Sequence, residues 1–226
     1  APGSGGPNEN VFGTGTISGR QIQVESSNGL NVSGFNFSSQ ALAPLTSRSP
    51  FLVSNCGTST FNNNIATGVN IAMEMSSNNA TNTITANNFS GSAYGIYMNG
   101  GSNNGNTVNN NNLSNCTNWA LTYNLGTPAS INTNTFTGSV NALYLRGAST
   151  FTLGSSNVFK NQTGTSIYLE SCSAVNVSNN AVNGTGGHGI LVNQSNNCVI
   201  DGNTTCGRTF GIRIQGSSNA NTISNG

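Results

Sequence analysis

Charge is what this chain has least of: Asp, Glu, Lys and Arg make up 5% of its 226 residues, against about a quarter in an ordinary globular domain. Six basic and five acidic residues leave a formal net charge of +1, so there is no basic surface to neutralise a phosphate backbone, and nucleic acid is excluded as a partner. No apolar run approaches the roughly eighteen residues of a spanning helix, so insertion into a membrane is not expected either. Histidine occurs once, at His188, where a turn or surface role is the expectation. The five cysteines, Cys56, Cys116, Cys172, Cys198 and Cys206, show no C-x-x-C spacing, which argues against a zinc or thioredoxin-like site. No metal and no cofactor is assigned. Pairing of Cys172 with Cys198, pairing of Cys198 with Cys206, and buried reduced thiols all remain open.

What is present instead is Asn, Ser, Thr and Gly from end to end, with hydrophobic residues at 34% and no break in composition that would divide the chain. A disordered Asn-rich segment and a repetitive β architecture both fit that description, and periodicity separates them. Apolar-variable-apolar triplets recur as Ile71-Ala72-Met73, Ile96-Tyr97-Met98, Leu121-Thr122-Tyr123, Leu143-Tyr144-Leu145, Ile167-Tyr168-Leu169, Ile190-Leu191-Val192 and Ile212-Arg213-Ile214. A second pattern, apolar-x-x-Asn-x-apolar, runs through Ile84, Asn87 and Phe89, then Val108, Asn111 and Leu113, then Ile131, Asn134 and Phe136, then Val177, Asn180 and Val182. The series Asn63, Asn87, Asn111, Asn134, Asn157, Asn180 and Asn203 advances by 24, 24, 23, 23, 23 and 23 residues.

Alternation with period 2 over three to five residues means short strands, and the density of Asn, Gly, Ser and Thr disfavours helix. Because every repeat carries the same strands in the same direction, like strands can stack only in parallel, one coil on the next at about 4.8 Å. The recurrent Asn is expected to form a ladder of side-chain amides, each both donor and acceptor, at a corner where Asn also tolerates left-handed backbone. The organisation expected is a flexible segment over 1–10 and an all-β, single-domain solenoid over 11–226, with coils of about 22–25 residues and a loop insertion near 40–49.

On these residues the chain resembles the pectin-lyase-like right-handed parallel β-helix proteins, most clearly from about Thr60 to Ile223; Gly13-Thr14-Gly15-Thr16-Ile17-Ser18-Gly19 is similar to an early coil of that fold. The resemblance implies the right-handed solenoid. Its polysaccharide-cleaving members carry clustered carboxylates, whereas this chain has one Asp, Asp201, and four Glu: Glu9, Glu25, Glu74 and Glu170. Aligning the triplets puts Glu74 and Glu170 in one outward column, four coils or roughly 19 Å apart. A glycosidase pair needs about 5–9.5 Å, so no catalytic residue is assigned.

The outward positions within the triplets read Ala72, Tyr97, Thr122, Tyr144, Tyr168, Leu191 and Arg213, and those just after them Glu74, Asn99, Asn124, Arg146, Glu170, Asn193 and Gln215. Tyr97, Tyr144, Tyr168, Arg146, Glu170 and Arg213 therefore form the candidate contact face for a glycan or a protein, with an Arg146–Glu170 pair across adjacent coils. An ordinary exposed strand face, where Tyr is favoured by β-propensity, is the third alternative. Asn-x-Ser/Thr sequons such as Asn79, Asn112 and Asn203 are glycosylation acceptors if a secretory route provides the enzymes. The function expected is a non-catalytic secreted or cell-surface structural protein (sheath, surface layer, filament or adhesin stalk). It is expected to self-associate end-to-end or laterally, since no cap is recognisable at Ile223 to Gly226. The alternative is a glycan-binding or polysaccharide-degrading module of the tailspike or lyase kind.

Overall fold

The computed structural model describes residues 10–12, 22–37 and 49–225. Save for Asn10 and Ser49, the expected flexible start and the insertion near 40–49 lie outside these residues, as does the Gly13–Gly19 motif. The described residues contain 22 strands of three to six residues and no helix. They form parallel sheets of nine, six, four and three strands, and each strand pairs with its equivalent one coil away. This is the right-handed parallel β-helix, a single all-β domain.

The nine-stranded sheet runs from the strand Ile22–Glu25 to the strand Phe210–Gln215 and sets the inner columns. One column is Ile22, Phe51, Met73, Ile96, Leu121, Leu143, Ile167, Ile190 and Ile212; the other is Val24, Val53, Met75, Met98, Tyr123, Leu145, Leu169, Val192 and Ile214. Across the interior stands Val32, Phe61, Ile84, Val108 and Ile131. Corner aromatics close the section, with Phe136 and Phe159 stacked at 5.0 Å. Members from Val53 to Val192 are almost entirely shielded, which is the burial that holds a chain so poor in apolar residues. Ile214 and Ile223, in the last coil of the chain, are 37% and 49% exposed.

Two registers differ from the expectation. Met73, not Ile71, pairs with Ile96, and Glu74 pairs with Tyr97, so the inner triplet of that coil is Met73-Glu74-Met75 and Ala72 is buried. A slip of two residues keeps the inside-outside alternation, so the pattern of Ile71, Met73 and Met75 could not choose; pairing of Phe51 with Met73 on one side and Ile96 on the other does. Glu74 and Glu170 consequently occupy different columns, still four coils apart.

The second difference lies in the ladder. Its first member is Asn64, which is buried; Asn63 is exposed, with φ +52°. From Asn64 through Asn87, Asn111 and Asn134 to Asn157, each backbone N–H and each side-chain amide donates to Oδ1 of the next Asn at 2.9–3.1 Å. Each Nδ2 also donates to a carbonyl of the coil before: Asn87 to Phe61, Asn111 to Ile84, Asn134 to Val108. The ladder resumes at Asn180 and Asn203, but between Asn157 and Asn180 it is broken, and Asn180 Oδ1 is buried without a partner. The same coil carries a register shift between Lys160 and Gln162. The left-handed backbone falls on the residue before the ladder Asn, at Asn63, Ala86, Asn110, Thr133 and Asn179. Ladder and corner are thus two jobs for two neighbours.

A second amide ladder went unread in the sequence. Ser59 N–H donates to Asn82 Oδ1 at 3.0 Å and Asn82 N–H to Asn106 Oδ1 at 2.8 Å, while in a separate column three residues earlier Cys56 N–H donates to Asn79 Oδ1 at 3.1 Å and the series stops before Asn103, whose Oδ1 has no partner. The repeated N-x-x-N of Asn79/Asn82 and Asn103/Asn106, 24 residues apart, was its signal.

All five cysteines are free thiols; Cys56, Cys116, Cys172 and Cys198 are buried and Cys206 is exposed. Cys172 Sγ donates to the Glu170 and Leu145 carbonyls at 3.4 and 3.5 Å, and Cys56 Sγ to the Ser54 carbonyl at 3.1 Å. Burial pushes the Cys116 thiol up to about 12 and that of Cys172 up to about 11, and raises Cys56 and Cys198 as well.

Two outcomes follow for the folded chain. Asn111→Ala leaves the Asn87 N–H and the Ile84 carbonyl without their partner, and is expected to cost about 3 kcal/mol in urea unfolding, while Asn63→Gly stays near neutral because the left-handed site accepts glycine. A disulfide-exchange reagent at pH 8 should modify Cys206 promptly and the other four thiols only on unfolding. Prompt reaction of two or more would contradict the burial.

Candidate functional site

The outer face of the nine-stranded sheet carries a row of large polar-tipped side chains. In register along one column stand Glu74, Tyr97, Thr122, Tyr144, Tyr168, Leu191 and Arg213. The Tyr144 and Tyr168 rings stack at 5.0 Å with planes 21° apart. Trp119, which precedes this column on its own strand, packs on both, at 5.4 Å from Tyr144 and 6.2 Å from Tyr168. Tyr94, in register with Trp119, meets Tyr97 edge-on at 5.1 Å. The five rings span four successive strands, and all are half-buried.

A polar network holds the rings in place. Glu170 accepts from the Tyr144 hydroxyl through Oε2 and from the Tyr168 hydroxyl through Oε1, the latter at 3.2 Å. Arg146 Nε lies 3.6 Å from Glu170 Oε2, in register with it on the neighbouring coil. Asn193 Nδ2 donates to the Tyr168 oxygen at 3.1 Å, and Asn118 Nδ2 to that of Tyr94 at 2.6 Å. Burial, reinforced by the Glu170 bond, raises Tyr144 well above the ordinary phenol range, and burial raises Tyr168 and Tyr97 too. These phenols stay protonated at neutral pH and serve as donors. Both oxygens of Glu170 are engaged, and Glu74, four coils away, accepts from Ser49 Oγ at 2.9 Å, so the face offers no acid–base pair.

Of the residues expected from sequence, the structure brings Tyr144, Tyr168, Arg146 and Glu170 into one cluster. Tyr97 is separated from it by Thr122, and Arg213 lies two coils beyond Tyr168, its guanidinium 5.2 Å from the Phe210 ring. Trp119 and Tyr94 were missed; both stand two residues before a triplet, at Leu121 and Ile96, and that shared offset was the legible signal. Thr122 and Asn124 form the unexpected part. They belong to Trp119's own strand and point outward, yet are only 2% and 9% exposed, and Thr122 Oγ1 and Asn124 Oδ1 have no hydrogen-bond partner.

His188 stacks near Phe210 at 5.3 Å, its Nδ1 buried without a partner and its basicity lowered by burial and by Arg213. Asp201 accepts from Ser224 and Asn225 of the next coil at 2.6 and 2.9 Å. Among the described residues no three of His, Cys, Asp and Glu come together as a metal site would need.

No curated protein matches this sequence. Among solved structures, the surface protein and adhesin PfbA of Streptococcus pneumoniae superposes with a TM-score of 0.59 at 14% identity, over 92% of this chain and 64% of that one. The likeness shows a shared β-helix, and this chain spans less than two thirds of that protein's length. The family model described as periplasmic copper-binding protein (NosD) matches residues 8–166 and again 128–226. With almost its whole length matched, the chain belongs to the NosD family.

Proposed function

We propose that the chain is a non-catalytic scaffold that works outside the cytoplasm, a secreted or surface β-helix with a preformed contact face on its long sheet. The observation that carries this reading is the Trp119–Tyr144–Tyr168 cluster, an aromatic surface whose one carboxylate is spent on orienting rings. The family's description as periplasmic and the structural neighbour's as a surface adhesin support the location. Within this reading the chain is a stiff element of a sheath, surface layer, filament or stalk, and self-association along or beside the axis is part of the proposal. Glycan binding is the second reading, and the same rings favour it over polysaccharide cleavage.

Copper, named in the family's description, does not fit the residues of this chain. There is one imidazole, His188, facing Phe210 and Arg213. The Cys116 and Cys172 thiols are held protonated, and Met73, Met75 and Met98 are fully enclosed in the core columns. No step of the proposed function runs through a metal.

Incubation with neutral and acidic polysaccharides is expected to yield no new reducing ends and no unsaturated products, and light scattering to show species heavier than the 23.1 kDa chain. Turnover that disappears in Glu170→Gln would overturn the non-catalytic reading; a monodisperse monomer at all concentrations would overturn self-association.

A further inference from the structure

Building on the proposed contact face, we infer that its occupant is an uncharged glycan laid along the helix axis, with Trp119 as the stacking platform and Thr122 and Asn124 as polar anchors. The first ground is dimensional. The strands Tyr94–Asn99, Trp119–Asn124, Asn141–Arg146 and Ile167–Glu170 each contribute at least one of the five rings. Successive strands are about 4.8 Å apart, close to the length of one pyranose in an extended chain, so each coil meets about one sugar unit. The strip covers three such steps, roughly 14 Å. That is short for a protein interface, which needs about 800 Å² on each partner.

The second ground is the pair of unmet polar atoms in the middle of the strip. A buried oxygen without a hydrogen bond is destabilising, and although Asn180 Oδ1 and His188 Nδ1 are others, Thr122 Oγ1 and Asn124 Oδ1 stand together on the strand that carries Trp119. Thr122 stands between Tyr97 and Tyr144 in the register, and Asn124 beside Arg146, whose side chain is 50% exposed and has solvent to move into. A sugar hydroxyl both donates and accepts, and so matches the Thr122 hydroxyl and the Asn124 carbonyl oxygen, both shielded in the free chain and reached only when neighbouring side chains such as that of Arg146 turn aside.

Charge selects among glycans. Glu74 lies at one end of the strip beside Tyr97 and Glu170 at the other beneath Tyr144 and Tyr168, and the one cation among them, Arg146, is already paired with Glu170. Within the four strands of the strip the charges therefore cancel, which leaves no free cation there to hold a uronate or sulfated chain and favours neutral ones.

Trp119 is the sole tryptophan of the chain, so its fluorescence reports on this face alone. The whole chain is titrated with cellohexaose, mannohexaose and chitohexaose as uncharged probes and hexagalacturonate as the acidic one, with calorimetry for the variants. At least one uncharged probe is expected to shift the emission saturably while hexagalacturonate does not. Trp119→Ala should weaken binding about tenfold or more, with Trp119→Phe retaining most of it and serving as the folded control. Thr122→Val should weaken binding yet raise the thermal midpoint of the free protein, which separates an anchor from a merely buried hydroxyl. The inference is overturned if no uncharged probe binds, if hexagalacturonate binds as well as they do, if Trp119→Ala keeps full affinity, or if the face captures a purified protein while all sugars leave the emission unchanged. Appearance of reducing ends in the same mixtures would instead strike the non-catalytic reading, so the two failures are distinguishable.

Discussion

Everything in this molecule depends on the register between one coil and the next. Parallel pairing at a fixed offset of about 23 residues sets which backbone groups meet, and by the same act places Leu121 on Ile96, Asn111 on Asn87 and Tyr168 on Tyr144. Among the described residues few other links join the coils, because the chain has few charges, no disulfide among its thiols and a narrow apolar interior. The stacked columns supply burial, and the amide ladders satisfy corner carbonyls and N–H groups that the sheets do not reach.

The break in the main ladder between Asn157 and Asn180 shows how local that satisfaction is. Around the same coil the six-stranded sheet, which ends at Ser130–Asn132, gives way to the four-stranded sheet that begins at Ser149–Leu153, and the strand Phe159–Gln162 shifts register. Arg208 lies over this region, donating to the carbonyls of Gln162, Gly164 and Gly186 at 3.0–3.1 Å and to Ser166 Oγ. One guanidinium thus reaches loops of more than one coil where the regular pattern lapses.

The contact face is a by-product of the same periodicity. A side chain that points outward at one position of a coil has neighbours at the same position of the coils on either side, so aromatic residues chosen there form a strip without any loop to build it. Thr122, small among large neighbours, is where the strip departs from repetition, and Trp119 packs across the neighbouring coils there. Membership of a family described by copper binding does not alter this chemistry, since ligands belong to side chains and not to folds. In this chain the imidazole, thiols and thioethers are scattered or enclosed.

Period and alternation were enough to read a parallel solenoid, its inner columns from Ile96 onward, and the Asn series from Asn87 onward, because each is a property of spacing alone. Spacing could not choose between Asn63 and Asn64 in a run of three asparagines, nor between Ile71 and Met73, since moves of one residue in a turn and two in a strand leave the visible pattern intact. Those choices were made by the hydrogen bonds of the coils on both sides. Tertiary structure alone also decided that Glu170 is tied up by two phenols and an arginine, that Trp119 joins rings 25 and 49 residues further along the chain, and that Thr122 and Asn124 turn their oxygens toward no partner. Rotamers and packing against the next coil are set in three dimensions, where a linear pattern carries no information.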